Sequence, residues 1–361
     1  MKKILIVTGE LSGFNYAKEL IPCLSKKLKV FGVLMEDVEG STRILDSKDL
    51  LAFGLFEAVS KLPSIWKGRK KIESFLRKEK VDAVLLIDFP GFNLKIAEIA
   101  KKLGIKVFYF IPPKLWAWGE GRIKKIKKFV DRAFVIFPFE KDFYEKFKVK
   151  VTYVGNPLKD IVKPSLKPLE FRRKYNLKDP IFALMPGSRP SEINYLLKPM
   201  VEVSKRIEGS FVLPVASSLD KDLIEKTIKE MNGKVTLIPE SERYNLLFAA
   251  DAGIIASGTA SLEAAISGLP HVVVYKLNPL TFMIAKRLVK IPFVSLPNII
   301  AKKEVVPELL QDEINPENLT LSLLTVYENR FHIKELLEKE VNSKLKGGAI
   351  EKLCREILKE I

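Results

Sequence analysis

The stretch VDAVLLIDFPGFN, residues 81–93, decides the fold. Its five apolar residues Ala83–Ile87 run without a polar break, the pattern of a strand covered on both faces. Such strands belong to parallel sheets flanked by helices. The run ends in a carboxylate, Asp88, after which Pro90 and Gly91 turn the chain. A helical stretch over 94–103 follows and is closed by Gly104. Strand, acid, turn and helix make one βα unit, and an acid at the mouth of a buried strand asks for an explanation.

The same rhythm extends in both directions. Residues 3–8 read as a strand, and GELSG (Gly9 to Gly13) as a loop opening a helix near Asn15. Further strands are expected at 107–111, 133–137 and 152–154. KPSLKP, residues 163–168, breaks the pattern, which restarts with strands at 181–185, 211–215, 235–237, 252–256 and 271–275. Amphipathic helices interrupted at Gly347 and Gly348 fill 333–361. Alternating strands and helices predict α/β architecture with two Rossmann-like, doubly wound parallel sheets facing a cleft. The expected domains are 1–163, a linker at 164–168, 169–329, and C-terminal helices at 330–361 that pack back on the first domain or exchange between subunits. Ligands of such sheets sit beyond the carboxyl ends of the strands. Asp88 is therefore expected beside a ligand.

Charge divides the 361-residue chain unequally. Its net charge is +17, with 33 Lys+Arg against 19 Asp+Glu in residues 1–165 and 28 against 25 thereafter. A thermophile's charge-rich surface would account for the density but not for the asymmetry, which points to an anionic partner of the first half. The two cysteines form no CxxC pair, so neither a disulfide framework nor a zinc site is expected. Four apolar residues before Thr8 are too few for a signal peptide, and no apolar run approaches the roughly 18 residues of a membrane span, so a cytoplasmic location is expected.

Two turns in the second half suit a phosphate. In ALMPGSRPSEI (residues 183–193), Gly187 allows close backbone approach, and Arg189 offers a planar fork for phosphate oxygens. A plain strand–helix connection would look the same. In IIASGTASLEAAISG (254–268), a strand runs into Ser257, Gly258 and Thr259, and a helix begins near Ala260 with its free N–H groups exposed. Glu263 could accept from sugar hydroxyls, or only favour the helix dipole. Together the turns favour a nucleotide diphosphate. Neither GxxxxGK[ST] nor GxGxxG occurs, against a P-loop or standard dinucleotide site. In the first loop Gly9 and Gly13 permit close approach, and Glu10 and Ser12 could bond sugar hydroxyls; a simple loop would look the same.

Two segments mix aromatic and basic residues: 53–80, with Phe56, Trp66 and Lys70, and 109–128, with Trp116, Trp118 and Lys125. They suit the interface of an anionic membrane, and equally an amphipathic helix with a buried apolar face. Asp220 and Asp222 read as acids at a helix start rather than a metal site, and His271 and His332 have no visible catalytic partner. No metal and no cofactor is expected.

The motifs GELSG, IDFPGFN, LWAW, FPFEKDFY, YVGNPL, LMPGSRPSEI, ASGTASLEA, VVVYK and FVSLPNIIAKKEVVPELLQ, from residue 9 to about 311, resemble those of the lipid-A-disaccharide synthases, glycosyltransferases of the GT-B fold. The resemblance implies transfer from UDP-2,3-diacylglucosamine to 2,3-diacylglucosamine 1-phosphate, with inversion and without a metal. It implies work on the inner face of the cytoplasmic membrane as a peripheral protein and no nucleic-acid partner; a homodimer is left open. On this reading Asp88 is the catalytic base. Arg189, Ser188, Gly258, Thr259, Glu263 and Asn298 bind the UDP donor, while Glu10, Ser12 and Gly13 face the acceptor. Phe14, Gly91 and Asn156 depart from the family, which usually has Asp, Asp and His there. Competing readings are a UDP-sugar 2-epimerase, another lipid-linked glycosyltransferase, or an RNA-binding protein using the basic half.

Overall fold

The computed structural model describes residues 1–9, 11–50, 62–116, 120–216, 218–278, 282–283 and 292–361. They form two compact units, one of residues 1–157 together with 346–361 and one of 158–345.

The first unit is built on seven parallel strands: β1 (Lys3–Val7), β2 (Lys29–Leu34), β3 (Ser41–Asp46), β4 (Ala83–Ile87), β5 (Lys106–Phe110), β6 (Arg132–Val135) and β7 (Val151–Tyr153). Their order is β3-β2-β1-β4-β5-β6-β7. Ile4 to Val7 and Ala83 to Ile87 have no exposed surface, because helices cover the sheet on both faces. That double cover explains why these strands read as unbroken apolar runs. The strand order reverses between β1 and β4, which opens a crevice at their carboxyl ends.

The second unit repeats the plan with β8 (Ile181–Met185), β9 (Ser210–Val215), β10 (Val235–Pro239), β11 (Ala252–Ala256), β12 (His271–Tyr275) and β13 (Glu308–Leu310). The order is β10-β9-β8-β11-β12-β13, so its reversal lies between β8 and β11. The doubly wound fold expected from the sequence is present in both units. The strands β2, β3 and β13 were not among those expected.

One expectation is overturned. Cys23 and Cys354, 331 residues apart, are joined in a disulfide with Cα atoms 6.4 Å apart. Short-range cysteine spacing cannot reveal a pair made by the fold. The link lies between the Leu11–Leu24 and Ala349–Glu360 helices, and the second of these is also held by charge. Glu360 meets Lys150 at 2.6 Å, Arg132 at 2.7 Å and Lys106 at 3.2 Å. The hydrogen bonds from Lys150 and Lys106 pull its carboxyl down to about 2.

The basic helices are amphipathic in the ordinary way. Ile72 and Leu76 of Leu62–Glu79, and Ile123, Ile126 and Phe129 of Ile123–Phe129, are buried in the first unit. Their lysines face solvent. Among the described residues no helix is long and apolar enough to cross a membrane.

Candidate functional site

At the β1–β4 reversal two loops meet. Gly9 lies two residues beyond β1, and a Cβ there would lie 2.3 Å from the Phe89 ring, so only glycine lets that ring approach. A Cβ on Gly13 would stand 3.9 Å from the Cβ of Asp88. The GELSG and IDFPGFN motifs are thus one structure, although Glu10 lies outside the described residues. Ser12 is exposed at the start of its helix.

Asp88 is partly exposed, at the end of a strand that is wholly buried. Its φ is 48° and that of Phe89 is 50°. Two successive left-handed residues, one of them bulky, cost about 1–3 kcal/mol each unless their surroundings hold them. The surroundings do so through the main chain. The Asp88 N–H donates to Phe110 O at 3.0 Å, and the Asp88 carbonyl accepts from Asn93 Nδ2 at 2.8 Å and from the Tyr109 hydroxyl at 2.9 Å. Burial, helped by the Asp88 charge, pushes the Tyr109 hydroxyl well up, so it stays a donor. Neither Asn93 nor Tyr109 stood out in the sequence. Asn93 follows Asp88 in the same motif; nothing in the pattern marks Tyr109.

The three departures take different positions. Phe14 is buried at 3% exposure, so an apolar contact stands where the family has an acid. Gly91 is exposed, and a Cβ there would meet nothing within 4 Å. Asn156 is fully buried, with its N–H donating to Lys346 O at 2.7 Å.

The membrane-contact candidates separate. Trp66 is 50% exposed with the Lys70 ammonium 3.7 Å above its ring, and Lys125 is exposed on its helix. Trp116 is instead turned inward. Its indole N–H donates to Glu140 Oε1 at 3.1 Å and its ring packs edge-on against Phe139. Glu140 also accepts from the N–H groups of Phe137 and Ile136, at 3.1 and 3.2 Å. Burial outweighs these donors and pushes its carboxyl up to about 7. Phe56 and Trp118 lie outside the described residues.

At the β8–β11 reversal the two phosphate-type turns stand at neighbouring strand ends. After β8, the Ser188 and Arg189 N–H groups donate to Glu192 Oε2 at 2.9 and 3.2 Å, which caps the Pro190–Val203 helix and fixes the turn. The Arg189 guanidinium is 73% exposed, 3.6 Å from Glu192 Oε1. It reaches further electrostatically: burial raises the Tyr275 hydroxyl, and the Arg189 charge opposes that rise. After β11, Gly258 has φ 142° and ψ −148°, a conformation open in practice to glycine alone. It leads directly into the Thr259–Ser267 helix; helix N-termini of this kind favour anions.

Glu263 is buried one turn into that helix. Its Oε1 accepts from the Tyr244 hydroxyl at 3.0 Å and from Arg243 at 3.2 Å, while burial raises its pKa. Asn298 does not offer its amide outward. It is fully buried, donating to Val306 O and Glu308 Oε1 at 2.8 Å and accepting from the N–H groups of Val305 and Val306 at 2.8 and 3.1 Å. Glu308, unnoticed in the sequence, also accepts from the N–H groups of Val294 and Ser295 at 2.9 and 3.0 Å, and Ser257 Oγ donates to Val294 O at 2.9 Å. Asn298 therefore belongs to a scaffold that ties the SLPNI segment to the Ser257 turn.

Among the described residues no three His, Cys, Asp or Glu side chains gather as a metal site. Asp220 caps its helix, accepting from the Leu223 N–H at 3.2 Å. His271 is fully buried and its ring is lowered to about 4 by burial.

Comparison with known proteins adds names to this geometry. A family model described as lipid-A-disaccharide synthetase matches residues 4–360. The lipid-A-disaccharide synthase of Sulfurihydrogenibium sp. is 39% identical, covering 100% of this chain and 99% of the relative. Among solved structures, a Staphylococcus aureus MnaA–UDP co-structure superimposes with TM-score 0.68 at 14% identity, covering 99% of this chain and 96% of that one. Acinetobacter baumannii MurG gives 0.61 at 15%, covering 99% and 100%. At such identities these two speak for the fold alone.

Proposed function

Because the chain belongs to the lipid-A-disaccharide synthetase family, we propose that its two reversal-point sites divide one glycosyl transfer between them. The enzyme is a GT-B glycosyltransferase of lipid A biosynthesis. Its donor is UDP-2,3-diacylglucosamine and its acceptor 2,3-diacylglucosamine 1-phosphate. The acceptor 6-hydroxyl attacks the anomeric carbon of the donor sugar from the face opposite UDP. The new C–O bond forms as the bond to the diphosphate breaks, the hydroxyl proton passes to Asp88, and the anomeric centre inverts. A single base suffices, and such catalysis typically contributes about 10²–10⁴-fold.

Charge builds on the departing diphosphate. Arg189 and the N–H groups at Gly258 and Thr259 neutralise it, with Ser188 beside them. Glu263, steadied by Arg243 and Tyr244, receives the ribose hydroxyls. Glu10, Ser12 and Gly13 line the acceptor side, and Asn298 shapes the donor loop from within. The acyl chains of both substrates bring the enzyme to the anionic inner face of the membrane, with the exposed Trp66, Lys70 and Lys125 as contacts.

The observation that carries this reading is the position of Asp88, a partly exposed acid at the topological reversal of the first sheet. Incubation with both substrates should release UDP only when the acceptor is present. An epimerase would instead act on the UDP-sugar without it. Asp88→Asn should bind both substrates and turn over at least about 10²-fold more slowly. Near-normal turnover would remove Asp88 as the base.

A further inference from the structure

We propose that Asn93 and Tyr109 are positioning residues for Asp88, gripping its carbonyl so that the left-handed Asp88–Phe89 pair aims the carboxylate at the acceptor. The proposal rests on the reading of Asp88 as the base. Its starting point is the backbone, since φ values of 48° and 50° on two adjacent non-glycine residues persist only where neighbours impose them. Phe89 sets its ring where Gly9 has no side chain. The Asp88 N–H is tied to β5 through Phe110 O. The Asp88 carbonyl is held from two sides, by Asn93 at 2.8 Å and Tyr109 at 2.9 Å.

Asn93 makes a poor structural residue in other respects. It is fully buried, and among the described residues its Oδ1 has no hydrogen-bond partner, a costly state for a core amide. Its two Nδ2 hydrogens face three carbonyls, those of Asp88 at 2.8 Å, Ile87 at 3.2 Å and Val7 at 3.5 Å. An apolar side chain would fill the same space without an orphaned acceptor. The amide is explained by what its NH₂ group holds, the joint between β1 and β4 at the reacting acid. Tyr109 is buried as well and adds a donor from β5. Both side chains act on the main chain of Asp88, so their effect on the reaction passes through the direction of its carboxylate.

A double-mutant cycle on the full chain tests this with both substrates. Asn93→Ala should lower kcat by about 10–100-fold and Tyr109→Phe by about 3–10-fold, with both KM values unchanged, since misplacing a reacting group by an ångström costs on that order. In the Asp88→Asn background either change should cost less than about twofold, because the group they aim is gone. Wild-type kcat in the single variants, or the same loss with and without Asp88, overturns the positioning role while leaving the base in place. An Asp88→Asn enzyme with full turnover overturns the base and this proposal together. If Asn93→Ala does not fold, Tyr109→Phe, which keeps the buried ring, completes the cycle alone.

Discussion

Arg189 and Lys128 carry the same charge on exposed side chains, and only their settings differ. Arg189 projects from a capped turn at a strand reversal, whereas Lys128 lies on the solvent face of a helix whose apolar side is buried. A donor aimed at developing charge is worth on the order of 10²–10³ in kcat. A solvated lysine contributes little to a reaction elsewhere. Arg189→Ala should therefore lose about 10²-fold in UDP release, and Lys128→Ala less than about twofold. Comparable losses would take Arg189 out of the donor site. Asn298, expected at the donor from its motif position, is a fully buried side chain that bonds Val305, Val306 and Glu308.

The Pro138–Lys146 helix begins on Glu140, and its carboxyl makes that helix start sensitive to pH. Burial raises it from 4.5 to about 7, so between those values the folded protein keeps a proton that the unfolded chain releases. Stability from this group is thus full below about pH 4.5 and declines as pH rises to about 7, by roughly 3 kcal/mol in total. His271 runs the other way. Its ring is lowered to about 4, so its contribution is lost as pH falls from 6.5 to 4. The Glu140 effect is therefore read as a difference: in urea midpoints measured from pH 4.5 to 8, Glu140→Gln should gain steadily on the wild type as pH rises to about 7. Parallel profiles would mean that Glu140 is ionised throughout. None of this was legible in the sequence, where Glu140 is one acid in FPFEKDFY and its partner Trp116 sits 24 positions earlier. β4 and β11 were legible as short apolar runs, whereas β2 was not, although five of its six residues are buried. The edge strand β3, with no fully buried residue, carries no such run and was missed. The candidate site was drawn from its loops, and the groups that hold those loops were not. Asp88, Arg189 and Gly258 announce themselves by type and by position at strand ends. Asn93, Tyr109 and Glu308 act through backbone groups that only the folded chain brings near.

For the whole chain, the basic excess lies in residues 1–165, and surface charge acts over about 10 Å at moderate salt. Flotation with anionic vesicles should retain the enzyme and release it as salt rises, with Trp66→Ala weakening the retention. Equal binding to neutral vesicles, insensitive to salt, would reject electrostatic docking. The Cys23–Cys354 link constrains a loop of 331 residues. Its removal in Cys354→Ser should cost about 2–4 kcal/mol, read as a lower Tm that reductant reproduces only in the wild type. Equal melting of the two proteins without reductant would show that the link adds nothing. The first unit draws its parts from both sides of the second, from 1–157 and from 346–361. On a translating ribosome the order of completion is therefore inverted: the later-made unit has its entire sequence while the earlier one still lacks its final helix. Until Cys354 emerges, the nascent Cys23 remains a thiol without its native mate, and a chaperone or a stray oxidant meets it in that state.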